Sequence, residues 1–586
     1  MRWALRTADA AKVETLAREA GLLPVIARLL VARGIESPDE APRFLAPSID
    51  HLHSPYLMKG LREAVQRLQA AIERDETVLI YGDYDVDGTT ATVILKTVIE
   101  LSGGKAEYHV PHRIREGYGM RDEVIEQAAE RGIRLIISVD TGIRAFAAAE
   151  AAERCGLDLI VTDHHLPQTE GVPRALAVVN PNQHDCEYPC KALCGAGVAF
   201  KIAQALLEAT GRERLIPSFL KMVAIATIAD AVPLVGENRT FAKLGLDGLR
   251  KPVNAGLRAL MSNCELDGSR PLSAGDIAFR VAPRLNAAGR MDVADRVIRL
   301  FTERDPAKAA EMALELNQLN GDRQQEEQRI VNEIQAKVAD SDELRDAYCL
   351  VIDGDSWHRG VIGICATRVV ERYHRPALVF ACEDGEAHGS GRSIPAFHLL
   401  EALESCSELF TRFGGHAHAV GCSLPAERLP ELRSRLDAFA RLRLTPADFE
   451  PILEYDSDIE LASADDRLWE TLKRLEPFGA GNPVPAFVVR RTKLVQAPKT
   501  IKDKHLKVRV VAESSDGRWQ KAHDAIGWRM AERALEDALA LGDLVDLAFT
   551  LDYNDHPDFG GLQLTLLDFA RSVDKNAASP VASVTG

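Results

Sequence analysis

The sequence has no long uninterrupted hydrophobic run. A membrane-spanning helix needs about 18 to 20 apolar residues in succession, and no stretch of the chain supplies them. The first residues, MRWALRTADAAK, also lack the apolar core of a secretory signal peptide. We therefore expect a cytoplasmic protein that has no membrane partner.

Cysteine is scarce, with ten residues in the 586-residue chain. This number is too small for a disulfide framework, and the cytosol keeps thiols reduced. Cys186, Cys190 and Cys194 lie near His184 in the sequence, and thiolates and imidazole are ligands of zinc. No second ligand pair follows them, so this spacing is weak evidence for structural zinc and favours small buried core residues.

Positive charge is in the minority, because 71 Lys and Arg face 87 Asp and Glu for a net charge of −16. This balance argues against a protein that coats nucleic acid non-specifically, so any nucleic acid must be bound at a local surface. Hydrophobic residues make up 46% of the chain. Since a single core stops growing at roughly 250 to 300 residues, we expect three or four packed units.

The order of the apolar segments predicts an α/β protein. From TVLIYGD to LDLIVTD, short apolar strands alternate with helices of 10 to 15 residues, which is typical of βαβ units and a parallel sheet. A long helix then joins this domain to a second α/β domain, and five strands with one inserted helix predict a C-terminal OB-fold. The expected divisions are a helical lead-in over 1–75, the first α/β domain over 76–305, the connecting helix over 306–345, the second α/β domain over 346–445, the OB-fold over 446–571 and a disordered tail over 572–586.

Three strands of the first domain end in aspartate, namely Asp83, Asp140 and Asp163. Ligands of open α/β sheets bind beyond the carboxyl ends of the strands, so these acids are expected at one edge of the sheet. In IYGDYDVDGTT, Asp85 and Asp87 follow Asp83 so closely that the three carboxylates repel unless a cation neutralises them. An EF-hand loop is a competing interpretation, but Ile94 stands where its glutamate ligand belongs and a strand precedes the segment.

Further along the chain, two more segments add candidate metal ligands. VTDHH contributes His164 and His165 in tandem after a strand-end aspartate, and Asp230 lies in the apolar run MVAIATIADAVPLV, where an unpaired charge is costly. Mixed Asp and His ligands suit Mn²⁺ or Mg²⁺, and six of them suffice for two ions that share one carboxylate. Two such ions promote the hydrolysis of phosphate esters.

The motifs GDYDVDG, VDTG, TDHH and IADAVPL, in this order, resemble the four motifs of the DHH phosphoesterase superfamily. GSGRS and FGGH resemble its accessory DHHA1 domain, and LNAAGR, SWHRGVIGI and LEPFGAGNP extend the similarity over roughly residues 50 to 570. This extent implies the branch of metal-dependent exonucleases that digest single-stranded DNA from the 5′ end, release 5′ mononucleotides and act in DNA repair and recombination.

The resemblance also implies roles for individual residues. Asp140 is expected to bridge two ions, and His165 is expected to orient the scissile phosphate rather than hold metal. Tyr81 stands where many relatives place a histidine ligand, so Asp83 is expected to substitute for it. The full set of expected metal ligands is Asp83, Asp85, Asp87, Asp140, His164 and Asp230.

Basic and polar residues near these motifs are candidates for substrate binding, because the planar fork of arginine suits bidentate phosphate contacts. The resemblance places Arg113, Ser390 and Arg392 in a pocket for the terminal phosphate, and His416 across the cleft. The expected set is Arg113, Arg280, Arg284, Asn286, Arg290, Arg359, Ser390, Arg392 and His416. A basic stretch from Arg490 to Arg509 predicts a single-strand groove in the OB-fold with Trp519 and Trp528 as stacking aromatics, or else a spacer domain.

Two other functions remain open from the sequence. One is a phosphodiesterase of the same superfamily that acts on short oligonucleotides, cyclic dinucleotides or pyrophosphate, although the extra β-domain and the length count against it. The other is a catalytically inactive DNA-binding scaffold, which the intact set of carboxylates disfavours. The resemblance further implies single-strand-binding protein and a RecQ-type helicase as partners, and we expect a monomer.

Overall fold

The computed structural model describes residues 1–117, 119–291, 293–512, 521–554 and 560–572. Trp519 and the tail beyond Ser572, for which the sequence predicts disorder, lie outside these ranges. The chain forms two units: one contains residues 47–451 and 479–481, and the other contains residues 1–46, 452–478 and 482–586. No helix in the described ranges has both the length and the apolar character needed to cross a bilayer.

Strands and helices are numbered along the chain. The strands are β1 Arg2–Leu5, β2 Thr77–Tyr81, β3 Lys105–His109, β4 Leu135–Val139, β5 Asp158–Thr162, β6 Ala177–Val179, β7 Leu350–Asp355, β8 Ala377–Glu383, β9 Glu386–Arg392, β10 Arg412–Gly415, β11 Ala419–Pro425, β12 Ile452–Tyr455, β13 Ser457–Asp458, β14 Phe487–Leu494, β15 Lys499–Ile501, β16 His505–Val511, β17 His523–Gly527, β18 Leu544–Asn554 and β19 Gly561–Arg571. The helices are α1 Ala10–Glu19, α2 Pro24–Val31, α3 Glu40–Leu45, α4 Leu61–Glu73, α5 Val86–Leu101, α6 Asp122–Glu130, α7 Phe146–Arg154, α8 Gly195–Ala209, α9 Ile216–Ala229, α10 Gly236–Leu249, α11 Ala255–Asn263, α12 Ala274–Asp276, α13 Ala282–Met291, α14 Asp295–Thr302, α15 Pro306–Asp340, α16 Asp342–Asp346, α17 Ile362–Tyr373, α18 Leu399–Glu404, α19 Leu429–Arg441, α20 Asp466–Lys473 and α21 Ala531–Glu536. A π-helical turn, Ile277–Val281, leads into α13.

The first α/β domain contains the predicted parallel sheet, with strand order β3-β2-β4-β5-β6. Strands β2, β4 and β5 are almost entirely buried because helices cover both faces of a sheet built from βαβ units. Tyr81 pairs with Ser138, and Val139 pairs with Thr162, so the carboxyl ends of these three strands are level. The residues that follow them therefore meet at one edge of the sheet.

Helix α15, 35 residues long, joins this domain to the second α/β domain, as predicted. The sheet that follows has the order β10-β11-β9-β8-β7. Its first pair, β7 and β8, is parallel, and the other pairs are antiparallel. The mixed sheet packs between α17 on one side and α18 and α19 on the other, each with an apolar face in a buried cluster.

The unit that contains the C-terminal strands has the predicted OB-fold. Strands β14, β18, β19, β17 and β16 are adjacent in this order, and β14 also pairs with β16, which closes a five-stranded barrel. Helix α21 precedes β18, as the sequence predicts. The helical pattern of the lead-in did not include β1, which pairs in parallel with β12 and brings Arg2 opposite Ile452.

The three cysteines considered as zinc ligands lie in the first domain. Cys186 and Cys194 are buried members of its hydrophobic core, and Cys190 packs against that core. The side chain of His184 is exposed, and its Nδ1 lies 2.6 Å from Asp185 Oδ1. None of the acidic, histidine and cysteine groups that could hold a metal in the described ranges includes these residues.

A fully buried ion pair ties α8 to α10 in this core. Lys201 Nζ lies 2.8 Å from Glu237 Oε1 and donates hydrogen bonds to the backbone oxygen of His53 and to Gln204 Oε1. Glu237 also accepts hydrogen bonds from Tyr188 Oη and from the backbone N–H of His53. Burial lowers the pKa of Lys201, while the charge of Glu237 and its hydrogen bond act to raise it.

Glu237→Ala should therefore lower the free energy of unfolding by about 3 to 5 kcal/mol, because it leaves the Lys201 ammonium buried without a counter-charge. The double variant Lys201→Met/Glu237→Ala should lose less. Urea unfolding followed by circular dichroism measures both. Asp247→Ala, which breaks an exposed pair with Lys243 on the same helix α10, is the matched control and should change stability by less than about 1 kcal/mol. Equal stability of Glu237→Ala and Asp247→Ala would contradict the prediction.

Candidate active site at the carboxyl edge of the parallel sheet

Acidic side chains converge where strands β2, β4 and β5 end. Asp83, Asp85 and Asp140 form a group in which one ligand atom from each lies within 4.8 Å of the others. Asp85 is the N-cap of α5 and accepts a hydrogen bond of 3.0 Å from the backbone N–H of Gly88. A Cβ at Gly88 would lie 2.6 Å from the Cβ of Asp83, so only glycine allows the helix to begin this close to the first carboxylate.

A second group contains Asp87, His164 and Asp230, with ligand atoms equally close. Asp87 is buried in the first turn of α5, and its carboxylate accepts hydrogen bonds from the backbone N–H groups of Gly195 and Ala196 at the start of α8. These contacts use the positive end of the helix dipole to hold the carboxylate in place. Asp230 directly follows the last residue of α9.

A third group, Asp140, His164 and His165, shares Asp140 with the first group and His164 with the second. His164 Nε2 lies 3.1 Å from Asp140 Oδ1, 3.8 Å from Asp87 Oδ2 and 3.9 Å from Asp230 Oδ2. The contact between His164 Nε2 and Asp140 Oδ1 does not have the geometry of a hydrogen bond. Within the described residues, neither Asp140 Oδ1 nor the buried Asp83 Oδ1 makes any hydrogen bond. Buried carboxylate oxygens are rarely left without partners, so their orientation fits a shared cation between the groups.

Electrostatics of the site agree with this geometry. Burial and the neighbouring carboxylates raise the pKa values of Asp83 and Asp140 well above their usual range, and burial also raises that of Asp87. Burial and the charges of Asp87 and Asp85 raise the pKa of Asp230 to about 8. Like charges packed this closely favour protons or divalent cations, and the Asp and His donor set fits Mn²⁺ or Mg²⁺.

Asp163 has a different task from the other strand-end aspartates. Its Oδ1 accepts hydrogen bonds from His165 Nδ1 at 2.7 Å and from the backbone N–H of His164, while Oδ2 accepts one from Ile143 N–H. Burial opposes protonation of His165, but the bond to Asp163 and its charge raise the His165 pKa. Asp163 therefore orients His165, a role that strand-end position alone did not distinguish from metal binding.

Tyr81 is directed away from these carboxylates. Its side chain is fully buried, its hydroxyl donates to the backbone oxygen of Gly119 and accepts from the N–H of Arg121, and its ring lies 5.0 Å from that of His109. Burial raises the pKa of Tyr81 to about 12, so the phenol stays neutral. Tyr81 thus holds the segment between β3 and α6.

A basic pocket lies beside the acidic groups and draws on three segments. Arg113 stacks over the ring of Tyr84 at 4.2 Å, and its buried Nε makes no hydrogen bond within the described residues. Burial and the charges of Arg113, Arg323 and Arg392 lower the pKa of Arg290 to about 10, and burial together with Arg113 lowers that of Arg392. Arginines that lower one another's pKa values by charge repulsion form a favourable site for an anion.

Two further features complete the basic pocket. Arg392 donates a 3.3 Å hydrogen bond to Ser390 Oγ on the same strand, β9. A Cβ at Gly363 would lie 3.1 Å from Ser390 Oγ and 3.5 Å from Arg392 Nη2, so the first turn of α17 opens directly onto these groups. Backbone N–H groups at a helix start are suitable donors to phosphate.

Glu116 holds the turn that carries Arg113, and it lies outside the residues predicted from the sequence. Its carboxylate accepts a 2.8 Å hydrogen bond from the backbone N–H of His112 and lies 3.1 Å from His109 Nε2 at the end of β3. The signal was present in the sequence as a carboxylate four residues after His112, but a short loop contact of this kind has no recognisable period.

The remaining predicted residues are placed as follows. Asn286 Oδ1 accepts a 3.3 Å hydrogen bond from Val86 N–H at the start of α5, beside the carboxylates. His416 lines a pocket together with His165. The structure pairs Arg280 with Glu265, hydrogen-bonds Arg284 to Asn317, and places Arg359 in a different groove with Trp357 and His358.

The OB-fold presents part of the predicted basic stretch on its surface. Lys499, Lys502 and Lys504 are exposed on β15 and the turn that follows it. Trp528 is 56% exposed, and its ring contacts that of His505, the first residue of β16, at 4.8 Å. An exposed indole beside lysines is the combination that proteins use to bind single strands by stacking and charge.

Comparison with known proteins identifies the family. Residues 77–227 match the model of the DHH family N-terminal domain, residues 346–442 match the DHHA1 domain, and residues 455–568 match the RecJ OB domain. These matches confirm the resemblance based on the motifs.

The similarity to known proteins extends over most of the chain. It is 37% identical to the single-stranded-DNA-specific exonuclease RecJ of Bacillus subtilis, with 98% of this chain and 71% of that protein covered. It is 35% identical to the protein of the same name from Escherichia coli, with coverages of 85% and 88%. The crystal structure of RecJ from Thermus thermophilus in complex with Mn²⁺ has a TM-score of 0.82 and 28% identity, with coverages of 98% and 80%. The chain therefore belongs to the RecJ family of DHH phosphoesterases.

Proposed function

We propose that this protein is a metal-dependent exonuclease that hydrolyses single-stranded DNA from the 5′ end and releases 5′ mononucleotides. The observation that carries the proposal is the arginine and serine pocket beside three overlapping groups of candidate metal ligands. Such a pocket can hold a terminal phosphate while the next phosphodiester lies among the carboxylates. Membership of a family of single-stranded-DNA-specific exonucleases supports the substrate class.

We assign the metal ligands as Asp83 or Asp85 with Asp140 in one group, and Asp87, His164 and Asp230 in the other, with Asp140 as the bridge. The RecJ structures from Thermus thermophilus that contain Mn²⁺ and Mg²⁺ support these ions as the cofactors. Bound ions would supply charge neutralisation and a water of lowered pKa. The raised pKa values of the carboxyls mean that this protein's own side chains strongly favour such neutralisation.

The remaining side chains act on the substrate. His165, held through Nδ1 by Asp163, presents Nε2 as a donor to a non-bridging oxygen of the scissile phosphate. Water adds to that phosphorus, and the bond to the 3′ oxygen of the terminal nucleotide breaks. The departing nucleotide keeps its 5′ phosphate, and the shortened strand carries a new 5′ phosphate that fits the same pocket.

The resemblance to the family suggests single-strand-binding protein and a RecQ-type helicase as partners of this protein. We also expect it to be located in the cytoplasm and to be a monomer. The division of the chain into a lead-in, two α/β domains, a connecting helix and an OB-fold is our proposal for its domains. A phosphodiesterase for short oligonucleotides or cyclic dinucleotides is the alternative, and it would degrade dinucleotides faster than long single strands.

Asp140→Ala should abolish cleavage of end-labelled single-stranded DNA, because it removes the carboxylate that belongs to two of the three groups of candidate metal ligands. Binding of the DNA should change little. A readout independent of activity is the melting temperature. Mn²⁺ should raise that of the wild type and raise that of Asp140→Ala much less, since a ligand that binds more tightly stabilises the folded state more at the same concentration. Near-normal turnover, or an unchanged Mn²⁺ shift, would refute the assignment.

Arg392→Ala should weaken binding of 5′-phosphorylated single strands by about one to two orders of magnitude, since a charge-assisted hydrogen bond contributes roughly 1.5 to 3 kcal/mol. Strands with a 5′ hydroxyl should lose much less. Titration of both DNAs, and digestion of strands labelled at either terminus, provide the measurement. Arg372→Ala, an exposed arginine on α17, is the control and should behave as wild type. Equal losses on both DNAs, or mononucleotides appearing first from a 3′ label, would overturn the assignment of the pocket.

Lys502→Gln/Lys504→Gln should weaken binding of long single strands and flatten its salt dependence, with kcat retained. Removing one lysine that neutralises a phosphate lowers the slope of log K against log salt by about 0.7 for single strands. Fluorescence anisotropy across a range of salt concentrations measures this slope. The control Lys473→Gln changes an exposed lysine of α20 that is paired with Glu470. An unchanged slope in the double variant would favour the spacer interpretation of the OB-fold.

A further inference from the structure

An aromatic side chain projects into solvent close to the candidate active site. Phe279 lies in the π-helical turn that precedes α13 and is 82% exposed. Aromatic residues make up only 6% of this chain, and Phe279 is the most exposed aromatic side chain among the described residues. Single π-helical turns also occur frequently at functional sites.

Phe279 lines a groove of about 600 Å³ that adjoins the reaction centre. Ala229 and Ala231, the chain neighbours of the candidate metal ligand Asp230, form one end of the groove, and Asn286 and Arg290 form part of its wall. Phe279 therefore shares the groove with Asn286 and Arg290, which follow it by seven and eleven residues. The exposed ring thus shares a surface with a residue of the basic pocket.

The opposite wall of the groove carries groups suited to a nucleic acid strand. Gln324 and Gln328 of α15 are exposed there and offer amides that can both donate to and accept from base edges. Arg323 and Arg368 also line it, and both form ion pairs with Glu327. Three arginines, counting Arg290, against one glutamate leave the groove positively charged, which complements a phosphate backbone.

We propose that Phe279 is a stacking platform for a nucleobase of the single strand that leads into the active site. The inference rests on the proposed function and adds to it a base-binding subsite outside the metal and terminal-phosphate contacts. Stacking on a phenyl ring is independent of base identity, so the subsite tolerates any sequence and requires an unpaired base with a free face. A base held there aligns the strand between the basic pocket and the carboxylates.

The test compares wild type, Phe279→Ala and Phe279→Leu on 5′-phosphorylated single strands in Mn²⁺. Phe279→Ala should raise KM by about 5- to 100-fold with kcat for the bound strand little changed, because stacking energy of this size is typical for one base. Phe279→Leu keeps apolar area and loses the aromatic face, so its KM should lie between the two. Val253→Ala, which removes an 83% exposed apolar side chain elsewhere in the same domain, should match wild type.

A second set of substrates locates the contact. Strands with one abasic residue, moved a position at a time from the 5′ end, should raise the wild-type KM at one register. At that register Phe279→Ala should show no further loss. A 2-aminopurine at the same position should be quenched on binding to wild type and less quenched by Phe279→Ala.

Any of three results would overturn the stacking platform. These are a wild-type KM for Phe279→Ala, wild-type behaviour of Phe279→Leu on both intact and abasic strands, and a wild-type KM that no abasic position changes. These outcomes differ from failure of the proposed function, in which the wild-type protein itself would not degrade single-stranded DNA. Melting temperatures of the variants exclude unfolding as the cause, and an exposed side chain is expected to leave them unchanged.

Discussion

Mutual repulsion among buried carboxylates is the constraint on which the rest of the structure depends. Asp83, Asp87 and Asp140 are almost completely buried, and the three groups of candidate metal ligands to which they belong share Asp140 and His164. Bringing such groups together costs free energy that a hydrophobic core elsewhere must offset, unless protons or cations neutralise them. The surrounding backbone is shaped to allow it: Asp140 itself has φ 59°, and a Cβ at Gly195 would lie 2.6 Å from the Cβ of Asp140. The carboxylates and the backbone at this edge of the sheet therefore destabilise the fold, and we attribute their arrangement to function.

The basic pocket also holds like charges close together, but here the charges are positive. Arg290 belongs to α13 of the first domain, whereas Gly360, whose backbone oxygen it contacts at 3.2 Å, and Arg392 belong to the second. A Cβ at Gly360 would lie 2.3 Å from the backbone oxygen of Arg290, so the two segments touch through their backbones. The positive charges that repel one another there and the negative charges at the sheet edge are held by adjacent parts of one compact unit. Under the proposed function, the terminal phosphate of a bound strand would neutralise the positive charges, and bound cations would neutralise the negative ones.

Sequence patterns predicted the fold where local rules decide it. Parallel strands place their carboxyl ends together, so the convergence of Asp83 and Asp140 followed from alternating strands and helices. The five barrel strands and the helix before β18 were equally readable. Pairing of β1 with β12 was not, because no local pattern links residues 450 positions apart in the sequence. Asp163 followed a strand as Asp140 does, and only its hydrogen bonds distinguish a residue that orients a histidine from one that faces a cation.

Helical periodicity in the sequence separates the candidate substrate-binding residues near α13 into two sets. Arg280 and Arg284 are four residues apart and share one helical face, whereas Asn286 and Arg290 are four apart on another face, about 120° away around the helix at 100° per residue. The structure gives the first pair acidic and amide partners and turns the second toward the reaction centre. Helical periodicity thus divides the candidates into two sets, but it does not say which set faces the site. That choice depends on which face of α13 packs against α5 and the second domain, and the buried contacts of Gly289 with Tyr84 determine it.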